Sequence, residues 1–196
     1  MADALIAEGR VTAWQNEYGD QRADVAGRPV MPTKVATLRP RPQPGFAYAV
    51  AMIDLPDWAR HLDLAPHPEG GWFRETWRSE LTIGAAALPA DYAGARSAGT
   101  AILFLLMPGQ QSAWHTVRGA ELWFHHRGGP LLLEIGPDKD SATTHVLGSD
   151  IAGGEQPQVV VPPGHWQRAR PRGAQAGLVS CVVVPGFDFA DFTLHG

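Results

Sequence analysis

From Gly70 onward, apolar residues fall in short runs of strand length rather than at the three-to-four spacing of a helix. Nine segments carry the pattern: Trp72–Ser79, Thr100–Leu106, Ser112–Val117, Glu121–His126, Pro130–Ile135, Thr143–Leu147, Gln158–Val161, Gln167–Arg170 and Leu178–Val184. Gly, Pro and Asp punctuate them, as in P-G at 108–109, G-G-P at 128–130, G-P-D at 136–138 and P-P-G at 162–164. Many short strands between turns predict an all-β sandwich or barrel. Just before them, Asp54 to Leu64 reads as a short helix. Asp54 is a capping residue, Pro56 suits the first turn, and Leu55, Trp58 and Leu62 share one face. Pro66 and Pro68 end it, and it is expected to pack outside the strands.

The pattern is different at the other end. Residues 28–46 hold five prolines among several basic residues, which no helix or central strand accommodates. Residues 1–51 therefore read as a flexible, Pro-rich leader, and 52–196 as the folded domain. Met52 stands at the boundary and is a candidate natural start.

Composition narrows the setting. A formal charge of -4 gives no basic footprint for nucleic acid. No apolar run approaches the roughly 20 residues of a membrane span. No secretory pattern opens the chain, so a cytoplasmic location is expected. The single cysteine, Cys181, rules out an internal disulfide and reads as a small buried hydrophobe within V-S-C-V-V-V.

Strand parity selects the candidate chemistry. His115 and Val117 share one face. So do Glu121, Trp123 and His125, opposite Leu122, Phe124 and His126. A glutamate amid L-W-F is costly to bury unless it is paired, protonated or metal-bound, and a pocket histidine supplies a partner. On Trp72–Ser79, Arg74, Thr76 and Arg78 share one face, while Phe73, Glu75 and Trp77 share the other. If the first face lines a pocket, Arg74 is a substrate contact; if the second, Glu75 faces the substrate and joins the acid–base set. His67-Pro68-Glu69-Gly70-Gly71 reads as a turn with a conformational role, and Asp188 and Asp191 as caps of a terminal turn.

Gly109-x5-His115-x-Val117-x3-Glu121-x6-Gly128 resembles the first motif of the cupin superfamily, and Pro162-x-Gly164-x2-Gln167 resembles the second. H-P-E-G-G-W-F-R-E-T-W-R-S (67–79) and V-V-P-G-F-D-F-A-D-F (183–192) resemble a largely uncharacterised single-domain cupin subgroup. The resemblance implies a double-stranded β-helix, a jelly-roll barrel, with sugar-nucleotide epimerases among its structural neighbours. It also implies a homodimer and a small-molecule ligand. Cupins usually hold a divalent metal with three histidines and a glutamate. Here Val117 and Gln167 replace two of the histidines, leaving His115, Glu121 and the Gln167 amide as a weak metal set that His125 could supplement.

Three readings of function stand at this point. In the first, His115 and Glu121 perform acid–base chemistry of the epimerase or isomerase kind on a carbohydrate-like molecule. Arg74 and Gln167 would then contact the substrate and Trp123 would form an apolar wall. In the second, a metal-dependent cupin oxygenase or isomerase uses His115, Glu121 and Gln167. In the third, a module binds a small molecule without turnover.

Overall fold

The computed structural model describes residues 14–15, 21–22 and 55–195. The chain divides into two units, Met1–Pro42 and Gln43–Gly196. Within the first, β1 (Trp14–Gln15) pairs antiparallel with β2 (Gln21–Arg22). The Pro-rich run, Met52 and the Asp54 cap lie outside the described residues.

In the second unit the expected α-helix is a six-residue 3-10 turn, Asp57–Leu62, capped by Pro56 and closed by Asp63 in the left-handed region at φ 51°. So short a segment gains few α-type hydrogen bonds, and the tighter repeat is a common connector. Leu55, Trp58 and Leu62 still pack together, as their spacing predicts, against a cluster that includes Leu105 and Leu178.

The strands follow in order: β3 (Ala65–Pro66), β4 (Trp72–Arg78), β5 (Thr82–Ile83), β6 (Arg96–Ser97), β7 (Thr100–Leu106), β8 (His115–Val117) and β9 (Ala120–Gly128). Then come β10 (Leu131–Gly136), β11 (Thr143–Leu147), β12 (Gln158–Val161), β13 (Trp166–Pro171), β14 (Gly177–Val184) and β15 (Phe192–Leu194). One antiparallel sheet runs β11-β10-β13-β8-β15 and another β12-β9-β14-β7-β4-β3, with β5 and β6 pairing apart.

The all-β expectation holds, but the jelly-roll barrel does not. Neither sheet closes on itself, and no strand ladder joins one to the other. At one margin the contact is a single parallel bridge between Leu147 and Gln156. Pro157 follows and has no N–H with which to extend it. The other sheet margins are β3, two residues long and ending in Pro66, and β15, three residues long. The expected helix and closed barrel are thus replaced by a 3-10 turn and two open sheets.

A shared core holds the sheets together. Phe104, Leu106, Trp123, Val159 and Val179 from the six-stranded sheet cluster with Leu131, Leu133, Ile135, Leu147 and Ala169 from the five-stranded one. Alternation along β7 sends Phe104 and Leu106 to this core, and Leu103 and Leu105 to the cluster under the 3-10 turn. That is why its sequence, T-A-I-L-F-L-L, is apolar on both faces. Burial of side chains this size contributes about 1.5–3 kcal/mol each before conformational entropy is charged against it.

Candidate functional site

Two glycines place the first acidic group. Gly70 and Gly71 have φ of 101° and 74°, and a Cβ on either would sit 2.9 Å from a backbone oxygen, of Gln111 and Leu105 respectively. The turn is thereby pressed against the sheet. Its seating is fixed by the Ala113 N–H, which donates to the Glu69 carbonyl at 2.7 Å. The Glu69 side chain enters the interior at 7% exposure.

There it meets His115, whose side chain is 2% exposed. His115 Nδ1–H donates to the Ala113 carbonyl at 2.9 Å, leaving Nε2 as the acceptor, 3.3 Å from Glu69 Oε2. His67 Nδ1 accepts the Glu69 backbone N–H at 3.3 Å and lies 3.6 Å from the same Oε2. Burial, then the nearby Glu121 carboxyl, drives Glu69 far above the ordinary carboxylate range. Burial lowers His115 to about 4 against the Ala113 bond, which acts the other way. His67 is also lowered to about 4, by burial and then by His115. Burial thus favours the uncharged forms, a protonated carboxyl facing a neutral imidazole.

Glu121 supplies a second acid. Gln167, fully buried on β13, accepts the Trp123 indole N–H on Oε1 at 3.0 Å and donates from Nε2 to Glu121 at 2.5 Å. The Cys181 thiol hydrogen-bonds to Glu121 as well. Burial lifts Glu121 to about 7, with these two bonds pulling the other way. Cys181 is buried, as its apolar setting implies, and burial pushes its thiol well up.

These groups face a cavity of about 270 Å³. His67, Glu69, His115, Glu121 and Cys181 form its buried part, and Phe73, Thr100, Ile102, Val117 and Val183 complete the inner wall. Glu75, Arg78, Phe187, Asp188, Phe189 and Phe192 contribute the rest. The three phenylalanines pack mutually, with centroids 5.1 to 6.1 Å apart, and Phe189 is 61% exposed.

The structure thus brings His115, Glu121 and Glu75 onto one cavity. It gives His115 Nε2 Glu69 as its carboxyl partner, whereas Glu121 bonds to Gln167 and Cys181. Trp123 and Gln167 stand behind Glu121, off the cavity wall. Arg74 pairs with Asp63 at 3.6 Å, and His125 Nε2 lies 3.3 Å from the Gly129 carbonyl; neither lines the cavity. Glu75 and Arg78 both do, because the register of β4 against β7 shifts between Glu75 and Trp77. His67, Glu69 and the phenylalanine trio were not expected here. The burial cost of Glu69 beside a histidine was the available signal, but a turn has no periodicity to show which way it points. Asp188 caps the terminal turn by accepting from the Ala190 N–H, as expected. Asp191 instead accepts from Arg96 at 2.6 and 2.9 Å and from Arg118 at 3.2 Å.

The metal set suggested by His115, Glu121 and Gln167 does not fit a cation. The Trp123 bond occupies Gln167 Oε1 and turns the amide N–H groups toward Glu121. A donor, not a lone pair, then faces that carboxyl. Among the described residues, no three His, Cys, Asp or Glu side chains are grouped as metal ligands. Nor, among those residues, is any helix long and apolar enough to cross a membrane.

Open sheets enclosing a buried acid–imidazole cluster define an all-β protein with one such cavity among the described residues. The profile of the family described as Cupin superfamily (DUF985) matches residues 56–195, and the chain belongs to that family. An uncharacterized protein of Saccharomyces cerevisiae is 31% identical over 147 residues, covering 70% of this chain and 71% of the yeast protein. A hypothetical protein from Leishmania major superposes with a TM-score of 0.62 at 32% identity, over 70% of this chain and 85% of its own. Protein SO0799 from Shewanella oneidensis gives 0.61 at 35% identity, over 71% and 83%.

Proposed function

We propose that this cupin is an isomerase- or epimerase-type enzyme that moves a proton on a small, carbohydrate-like carbonyl compound. One observation carries the reading. A single cavity of about 270 Å³ holds the Glu69–His115 contact at 3.3 Å and, separately, Glu121, a buried carboxyl raised to about 7. Acid–base enzymes need two titratable groups whose surroundings set their proton affinities apart, and this pair of sites meets that need.

In the reaction, Glu121 takes the proton from the carbon next to the carbonyl. The Glu69–His115 pair gives a proton to the carbonyl oxygen, forming the enol. Delivery of the Glu121 proton to the former carbonyl carbon, with the hydroxyl proton of the carbon first deprotonated passing to the pair, completes an isomerisation. An epimerisation requires instead that a proton reach the first carbon on its opposite face, with the enol proton returning to the pair. Gln167 and Cys181 hold the Glu121 carboxyl in place, and the Ala113 carbonyl holds the His115 tautomer.

The test is solvent deuterium incorporation at C2 of neutral aldoses and at C1 of neutral ketoses, followed by proton NMR. The chain should exchange these hydrogens faster than protein-free buffer. His115→Ala and Glu121→Gln should each lower the rate at least about a hundredfold while circular dichroism stays unchanged. Exchange at the protein-free rate with every sugar would refute the reading.

A further inference from the structure

The cavity wall carries four carboxyl groups, Glu69, Glu75, Glu121 and Asp188, and among its lining residues one guanidinium, Arg78. That guanidinium is already held. Its Nε donates to Glu75 Oε1 at 3.0 Å and its Nη2 to Glu75 Oε2 at 2.6 Å, the two-pronged geometry in which an arginine would otherwise grip a ligand carboxylate or phosphate. Its Nη1 donates to the Phe187 carbonyl at 3.1 Å, tying the pair to the segment that carries Phe187, Asp188 and Phe189. Glu75 and Arg78 are three residues apart on β4, a spacing that would set them on opposite faces of a regular strand. The shifted register at this point gives both the same side. Deep in the cavity the remaining titratable groups are carboxyls, imidazoles and a thiol, with no lysine or arginine among them to pair with an anion. The Phe187, Phe189 and Phe192 rings add faces that favour apolar C–H surfaces and cations.

We infer that Glu75 is the charge-specificity residue of this cavity. By occupying Arg78 it takes away the lining's guanidinium, so the cavity accepts uncharged or protonated-amine small molecules and rejects carboxylates and phosphates. The inference rests on the proposed proton-transfer reading only for the choice of a sugar-sized ligand. It adds the class: a free, unphosphorylated polyol or amino-polyol rather than a sugar acid, a sugar phosphate or a nucleotide-linked sugar.

Three probes of one ring size separate the charges: glucose, glucosamine and glucuronate, titrated by calorimetry at pH 7 into the full chain. Glucose and glucosamine should each bind at least about tenfold tighter than glucuronate. Glu75→Gln frees Arg78 and should strengthen glucuronate binding about tenfold relative to glucose. Glu75 is partly exposed on its strand, so this variant should fold, and the paired variant Glu75→Gln/Arg78→Gln should return glucuronate to its weak wild-type value. Glucuronate binding as tightly as glucose in the wild type would overturn the inference. So would a Glu75→Gln variant with unchanged glucuronate affinity, or no saturable binding of any probe. Deuterium incorporation is a separate measurement, so a failure of charge selectivity and a failure of the proton-transfer reading are told apart.

Discussion

Replacing Glu121 by Gln should make the protein more stable and less active at once. The carboxyl is 6% exposed and its proton affinity rises from 4.5 to about 7, chiefly because burial penalises the charged form. The sign follows from proton counting. Between pH 4.5 and about 7 the folded state holds a proton on Glu121 that the unfolded chain releases, so this group's contribution falls as pH rises through that window. Above about pH 7 the ionised carboxylate costs the fold on the order of 3 kcal/mol, because each tenfold change in proton affinity is worth about 1.4 kcal/mol. Gln is nearly isosteric, still accepts from Gln167 Nε2, and carries no charge to desolvate. The stability difference between Glu121→Gln and wild type should therefore be small at pH 4.5 and grow to about 3 kcal/mol by pH 8.5. Urea unfolding followed by tryptophan fluorescence at steps between these pH values measures it, and Trp123 reports locally. The comparison removes the background from His67 and His115, both lowered to about 4, because they titrate in both proteins, and leaves Glu121 with its coupling to Glu69. Their own effect runs oppositely: between about pH 6.5 and 4 the unfolded chain takes up protons that the folded imidazoles refuse, so acid removes their contribution. A difference constant within about 0.5 kcal/mol across the range would refute the claim that burial raises Glu121.

Other consequences are more local. Gln167→Met strands the Trp123 indole N–H in the core, so a loss of about 1–3 kcal/mol is expected in the same urea assay, with a blunted effect if Trp123 is already Phe. Asp191→Ala leaves Arg96, 7% exposed, without its carboxylate, and a loss of about 3–5 kcal/mol should appear as a lower calorimetric Tm. Arg96 holds Asp191 below the ordinary carboxylate range, so in the wild type this pair's contribution should fade as pH drops into that range, and the variant should lack that acid slope. Gly70→Ala forces a Cβ at φ 101° to within 2.9 Å of the Gln111 carbonyl oxygen, so at least about 1 kcal/mol should be lost, and an altered His115 imidazole shift in NMR should report the displaced Glu69.

Alternation and turn residues were enough to place every long strand. Thr100–Leu106, Thr143–Leu147 and Gln158–Val161 coincide with the structure residue for residue. The two-residue strands at 65–66, 82–83 and 96–97 are too short to alternate, and Phe192–Leu194 was hidden by the capping residues before it. The barrel was a different kind of error. Periodicity tells which face of a strand is buried but not which strand sits beside it, and closure depends on edge details such as the missing N–H of Pro157. Site parity failed where regularity failed: the shift after Glu75 lets Glu75 and Arg78 share a wall that strict alternation denies them. His115 and Glu121 could be read because they sit on strands. Glu69 could not, because its direction is set by two glycines pressed against neighbouring backbone. Arg74, Trp123, His125 and Gln167 were on or near the right elements, but hydrogen-bond and ion-pair partners unseen in the sequence had already engaged them.

The cavity wall begins at His67 and is not complete until Phe192. Its aromatic part, Phe187, Phe189 and Phe192, is translated last among the lining residues. β15, which carries Phe192, must then pair with β8 beside His115. Glu121, the last of the buried acids and imidazoles, precedes Phe192 by 71 residues, so the aromatic wall is added long after them. A ligand that needs the phenylalanine wall therefore finds its full site only after Phe192 has been added.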